Sequence, residues 1–191
     1  MEYYGRSLAI KEELGDKFGM GGSLNNIGIM NAYKGDCDKA LDYYGRSLAI
    51  SEELGDKYGM GVNLCNIGIV YYKKGNYKKS EKSLDKSLGI QKEIGLGTFD
   101  LIETTTYLYL NYKQLSKEYD EKEIYVLIKD AENIEFELNL RLYELLEDKS
   151  YLETAYNQIQ ELADNLEPDV AAKFLSYPSP QAIVEEWEKV K

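Results

Sequence analysis

Residues 1–40 laid over residues 41–80 give 25 identities in 40 positions. A chain that repeats itself at a period of this size folds as an array of like units, because each unit buries its apolar face only against its neighbours. Tyr3-Tyr4-Gly5-Arg6-Ser7-Leu8-Ala9-Ile10 returns as Tyr43 to Ile50, and Glu12-Glu13-Leu14-Gly15-Asp16-Lys17 returns as Glu52 to Lys57. Leu24 and Asn26-Ile27-Gly28-Ile29 return as Leu64 and Asn66-Ile67-Gly68-Ile69. Shifting 41–80 onto 81–120 keeps only 7 of 40, so two near-identical copies run into a diverged third.

Each copy reads as two helices. Leu24, Ile27, Gly28 and then Asn31, or Tyr71 in the next copy, follow the spacing of one helical stripe. Gly35 and Gly75 close that helix, since glycine takes the left-handed conformation found at helix C-termini. The second helix carries Ala40, Leu41, Tyr44, Ser47, Leu48 and Leu54. Gly55-Asp56 stops it, and the aspartate is placed to cap the helix that follows. Gly28 and Gly68 fall inside helices, where glycine costs about 1 kcal/mol relative to alanine. Their recurrence at one point of successive units predicts close helix–helix contact.

This succession of large apolar, small, glycine-closed turn and alanine resembles the tetratricopeptide repeat. The matching residues are Leu24, Ile27, Gly28, Gly35, Ala40, Tyr44 and Ser47, then Leu64, Ile67, Gly68, Tyr71, Gly75, Tyr77, Ser80, Leu84 and Ser87. The usual period is about 34 residues, and the longer period here is similar to that of kinesin light chains and polarity adaptors. The likeness covers residues 1–96; it departs from the family at Asn31, where an aromatic is usual, and lacks the family's closing proline. It implies an all-α right-handed superhelical solenoid of antiparallel helix pairs with a C-terminal capping helix. Residues 1–96 would be two matched units beginning in the second helix of a truncated repeat, 97–166 diverged helical repeats, and 167–191 the capping helices.

Beyond residue 96 the helical periodicity persists. Leu101, Thr105, Leu108, Tyr112 and Leu115 form one stripe, and Ile124, Leu127, Ile128, Ala131 and Ile134 another. A leucine-rich helix with Leu138, Leu142, Leu145 and Leu146 follows Asn133. Ser150-Tyr151-Leu152-Glu153 has the spacing of a capping box, and Leu152, Ala155, Tyr156, Ile159, Leu162, Ala163 and Leu166 form the core face after it. Pro168 and Pro180 suit first helical turns, with Ser179 expected to cap a last helix that shows Ile183, Val184, Trp187 and Val190 along one side.

Composition narrows the chemistry. The chain has no histidine, which removes the commonest general base and the commonest metal ligand together. Ser83-Leu84-Asp85-Lys86 lies on a solvated helix, and Glu12-Glu13, Glu52-Glu53 and Glu185-Glu186 are helix neighbours that point apart. Gly19-Met20-Gly21-Gly22 lacks the lysine of a phosphate loop, and Gly95-Leu96-Gly97-Thr98-Phe99 sits at an inter-unit turn with no strand before it. Cys37 and Cys65, without histidine, fall short of a zinc site and read as free thiols of a reducing, cytoplasmic compartment. No catalytic residue, metal or cofactor is expected. Met1-Glu2-Tyr3-Tyr4 is neither basic nor apolar, unlike a secretory leader, and no apolar run approaches the roughly 18 residues of a membrane span. Net charge is −11, all of it in residues 101–191, which argues against a nucleic-acid partner. Lys73, Lys74, Lys78, Lys79, Lys82 and Lys86 form a local basic run, read as a solvated convex face or as a dock for an acidic partner.

The resemblance also implies a function. First helices of such arrays line a concave groove in which asparagines bond the backbone of an extended peptide, donating and accepting together. The positions that carry over are Asn26 and Asn66, with Asn25 beside the first and Cys65 standing in its place in the second copy. Along the same face lie Ile29 and Tyr33, then Ile69, Tyr72 and Lys73, then Thr106, Tyr109 and Lys113 of the third unit. These asparagines either meet a peptide or link adjacent repeats. The groove so drawn is weakly basic; because Gly22, Val62, Ile29 and Ile69 stand where some relatives carry carboxylate clamps, it does not suit a C-terminal carboxylate. The chain is thus expected to be a scaffold that binds a partner protein or peptide. Its alternatives are a regulatory segment of a larger signalling protein or enzyme, and a scaffold that assembles head to tail through the exposed N-terminal helix.

Overall fold

A computed structural model describes residues 2–131 and 133–191. Met1, with which the N-terminal tetrad begins, and the side chains of Glu2 and Phe99 lie outside the described residues. Among the described residues the structure is helical, without strands: α1 (Glu2–Leu14), α2 (Lys17–Tyr33), α3 (Cys37–Leu54), α4 (Lys57–Lys73), α5 (Tyr77–Glu93), α6 (Thr98–Gln114), α7 (Glu121–Asp130), α8 (Phe136–Leu146), α9 (Lys149–Asp164), α10 (Pro168–Leu175) and α11 (Pro178–Val190). After α1, consecutive helices pair as α2/α3, α4/α5, α6/α7 and α8/α9, each pair stacking on the next.

The two copies are built by the same local devices. The carboxylates of Asp16 and Asp56 accept from the amides of Gly19 and Gly59 at 2.9 and 3.0 Å, starting α2 and α4. Asp36 and Asn76 accept from Lys39 and Lys79 and start α3 and α5. Gly35 and Gly75 follow α2 and α4 at φ 78° and 71°, in the left-handed region that side chains with a Cβ rarely adopt. Within each pair a serine fixes the crossing: Ser47 Oγ donates to the carbonyl of Gly21 at 2.8 Å, and Ser87 Oγ to that of Gly61 at 2.7 Å. Opposite the helix glycines stand buried large side chains. A Cβ on Gly28 would fall 2.6 Å from Tyr44 Cε1, and one on Gly68 2.6 Å from Leu84 Cγ. The glycines are there because the helices touch backbone to side chain.

The third unit loses this device. Leu108 occupies the position of Gly68, facing a core with Ile124, and α7 is a short helix that ends at Asp130. Ala131 is extended (ψ 126°), so it and Ile134 leave the helical stripe that their spacing predicts. α6 packs on α8 as well as on α7, and Leu108, Leu110, Ile124, Leu142 and Leu145 share one core with Cys65 and Leu84 of the second copy.

A second core closes the C-terminal end. Leu140, Leu152, Ala155, Ile159 and Ile183 are buried together, with Trp187 stacked on Tyr156 at 5.3 Å. Two cap assignments are corrected. Asp148, not Ser150, caps α9: its carboxylate accepts from the Ser150 amide at 2.9 Å, because an Asx turn there begins the helix at Lys149. Ser179 lies inside α11, which starts at Pro178, and is buried. Pro168 opens α10 as its position predicts.

Candidate functional site

The first helices α2, α4, α6 and α8 touch in series and form one side of the stack. On that side lies a cavity of about 220 Å³ lined by Ile29, Ala32 and Tyr33 of α2, Tyr44 of α3, Asn66, Ile69 and Lys73 of α4, Glu103 and Tyr107 of α6, and Glu137 of α8. A neighbour of about 200 Å³ shares Tyr33, Glu103 and Glu137 and adds Ile102, Asn133, Ile134, Glu135 and Leu138. A third, about 300 Å³ and mostly apolar, is framed by Met30, Tyr33 and Lys34 on one side and by Phe136, Phe174, Tyr177, Ser179 and Pro180 on the other. Tyr33 therefore stands at the junction of all three. The C-terminal helices reach back to the first copy, since a Cβ on Gly35 would lie 3.5 Å from Pro178 Cγ.

The charge of this groove is negative. Lys73 is engaged by Glu137 in an ion pair with little solvent exposure. Burial works to raise the Glu137 carboxyl, but Lys73, the positive charge of Arg141 and the Ser179 hydroxyl hold it below the usual carboxylate range. Glu103 has no ion pair or hydrogen bond among the described residues. The protein mass around it, then Glu137 and Glu135, push its pKa up to about 7, against the pull of Lys73; its contact with groove water opposes that shift. Tyr33 is pushed up to about 12 by burial first and then by Glu137, Glu135 and Glu103. The weakly basic groove drawn from the sequence is thus corrected: in the two cavities that share Glu103, the carboxylates Glu103, Glu135 and Glu137 outnumber Lys73, which Glu137 neutralises, and Lys34 lies at the third cavity.

The candidate positions divide. Ile29, Tyr33, Asn66, Ile69 and Lys73 share the groove cavity. Asn66 Nδ2 donates to Asn25 Oδ1 at 2.9 Å, linking adjacent repeats, and Asn25 lines a separate depression with Phe18, Gly22 and Val62. Asn26 is half-buried on α2. Cys65 is in the core, its sulfur accepting from Thr104 Oγ1 at 3.2 Å, and burial pushes its thiol pKa far up. Thr106 is fully buried with its hydroxyl on the carbonyl of Ile102. Tyr109 is buried against Tyr112 and Tyr119 and donates to Glu123. Tyr72 packs edge-on against Tyr107 at 5.5 Å. Lys113 donates to the carbonyl of Glu144 at 3.0 Å and pairs with Glu147, finishing α8. So Cys65, Thr106 and Tyr109 do not line the groove; they are side chains of the interface between helices. The third unit instead presents Glu103 and Tyr107. The 40-residue register, which points to Thr106 and Tyr109, fails where the repeat has diverged. Glu103 and Tyr107, four apart on one helix face, were the available signal, together with the acidic surplus of residues 101–191.

In the basic run, Lys74 pairs with Asp38 and Lys79 lies 5.3 Å over the Tyr71 ring, leaving Lys78, Lys82 and Lys86 exposed on α5. No group of ligating side chains among the described residues could hold a metal ion. No helix among the described residues is long and apolar enough to cross a membrane.

Comparison with curated proteins finds no match. Residues 19–93, from the start of α2 to the end of α5, match the family model described as tetratricopeptide repeat. Repeats of that family are generally protein–protein interaction modules and typically non-catalytic. The repeat, the helix-pair stack and the family match agree: residues 19–93 match the tetratricopeptide-repeat family, and the all-helical stack of the described residues is consistent with it.

Proposed function

We propose that this chain is an interaction scaffold that holds a segment of a partner protein in the groove between α2, α4, α6 and α8. One observation carries the reading: Tyr33, exposed at 40% of its surface, joins three adjoining cavities, one mostly apolar and two that mix apolar and charged side chains. An aromatic ring held half-wet above apolar pockets is the kind of group that anchors a partner chain. In this reading the groove is built across the junction of matched repeats (1–96) and diverged ones (97–166), with 167–191 as the cap. The free thiols Cys37 and Cys65 suit a reducing compartment, and a cytoplasmic site of action belongs to the proposal.

Panning a displayed peptide library against the wild-type chain and against Tyr33→Ala tests it. The selected peptides should lose most of their binding to the variant while its helical signal and melting stay unchanged. Equal capture by both proteins would remove the groove as the site.

A second reading, self-assembly, has its own observation. Ile10, Leu14 and Phe18 are exposed at 56%, 76% and 71% around the N-terminal helix, an apolar surface of the sort that marks association. Light scattering over a concentration series decides it, a strict monomer at the highest concentration being the negative result.

A further inference from the structure

The groove differs from an ordinary apolar slot in one respect, its uncompensated carboxylate. Glu103 lines both adjoining cavities and its side chain has no partner among the described residues, whereas the lysine across from it is already held by Glu137. Glu135 adds a further negative charge at the second cavity, so three carboxylates face a single ammonium. Glu103 and Glu135 are open to solvent, so their field reaches an approaching segment and is screened by salt. Ile29, Ile69 and Tyr33 flank Glu103 in the same cavity and offer no charge of their own. Resting on the groove reading above, we propose that the bound segment is an extended peptide in which one lysine or arginine is bracketed by apolar residues, its cationic head on Glu103 and its neighbours on Tyr33, Ile29 and Ile69. A cation supplies what Glu103 lacks, and its aliphatic stem covers the apolar wall on the way in. An acidic segment would meet three carboxylates and pay for their repulsion.

The test uses nonapeptide pools with the central residue fixed as lysine, arginine, norleucine or glutamate and flanks randomised over alanine, leucine, tyrosine and serine. Wild type, Glu103→Gln and Tyr33→Ala are compared at low and high salt. The lysine and arginine pools should be captured about tenfold better than norleucine by the wild type at low salt, with the preference shrinking as salt is added. Glu103→Gln, which keeps the shape, should bring the cationic and norleucine pools to parity. Parity already in the wild type, with capture still lost in Tyr33→Ala, overturns the charge assignment and leaves the groove standing. A lysine preference that survives in Glu103→Gln also overturns it, because the cation would then sit elsewhere on the acidic surface. Capture that ignores Tyr33→Ala, or no capture of any pool, removes the groove reading as well.

Discussion

Asn66 and Asn25 satisfy each other across the first two matched repeats, the amide of one donating to the oxygen of the other at 2.9 Å. Two side chains that the repeat pattern marks for an external peptide are therefore already part of the stack. Each sits half-buried, where losing one partner strands the other's polar group. Asn25→Ala and Asn66→Ala should each cost about 0.5–1.5 kcal/mol, and the double variant should cost little more than either alone. A denaturant double-mutant cycle measures this; strictly additive losses would show that the bond contributes nothing to stability.

The glycines inside the helices make a contrast that stability measurements resolve. Gly28 and Gly45 are both helical, and alanine at either gains about 1 kcal/mol of helix propensity. At Gly45 the new methyl meets nothing within 4 Å, and Gly45→Ala should be stabilising. At Gly28 it would fall 2.6 Å from the ring of Tyr44, itself 2% exposed and unable to swing away. Overpacking of this kind costs about 1–3 kcal/mol, so Gly28→Ala should be destabilising on balance. Opposite signs in urea melts are expected, and a stabilised Gly28→Ala would refute the close crossing.

Gly28 and its counterpart Gly68 show what the sequence can convey. A period, a glycine at one register and a capping aspartate or asparagine after each Gly turn are local signals repeated twice, and they determine the pairing α2/α3 and α4/α5. In the third unit the signal is broken by Leu108, and counting forward by 40 from Ile69 and Asn66 lands on Tyr109 and Thr106, which the structure buries. The acidity of the groove was hidden for a different reason. Glu103 and Glu137 are 34 residues apart and meet only because α8 packs on α6. The return of Pro178 to Gly35 is a contact between chain positions with no shared motif at all.

Glu103 also gives stability a dependence on pH. Its folded-state pKa of about 7 lies above the ordinary carboxylate value, so between the two the folded protein binds more protons than the unfolded one. Stability from this group is complete below the ordinary value and is lost as pH rises through about 7. Glu137 is shifted the other way, and its contribution is lost only in acid, below this window. Groove water screens Glu103, which holds the effect to about 1 kcal/mol or less, or about 2–4 °C in a chain of this size. Wild type should melt higher near pH 5.5 than near pH 8, and Glu103→Gln should flatten that difference by raising the value at the alkaline end. A Glu103→Gln curve parallel to wild type would place the pH dependence elsewhere.

Trp187 is the sole tryptophan of the chain, and its stacking on Tyr156 makes its fluorescence a reporter of the C-terminal core alone. Ile183 is fully buried in that core among Leu140, Leu152, Ala155 and Ile159. Truncating it removes buried methyl groups without touching the matched repeats, at about 2–5 kcal/mol. In an array that is coupled mainly through nearest neighbours, a loss of this size at one end should uncouple that end from the rest. For Ile183→Ala the fluorescence transition in urea should therefore move to lower denaturant than the far-ultraviolet circular dichroism transition, whereas the two coincide in the wild type. Coincident transitions in the variant would mean that the C-terminal helices and the repeats unfold as one unit, bound together through contacts such as Pro178 with Gly35.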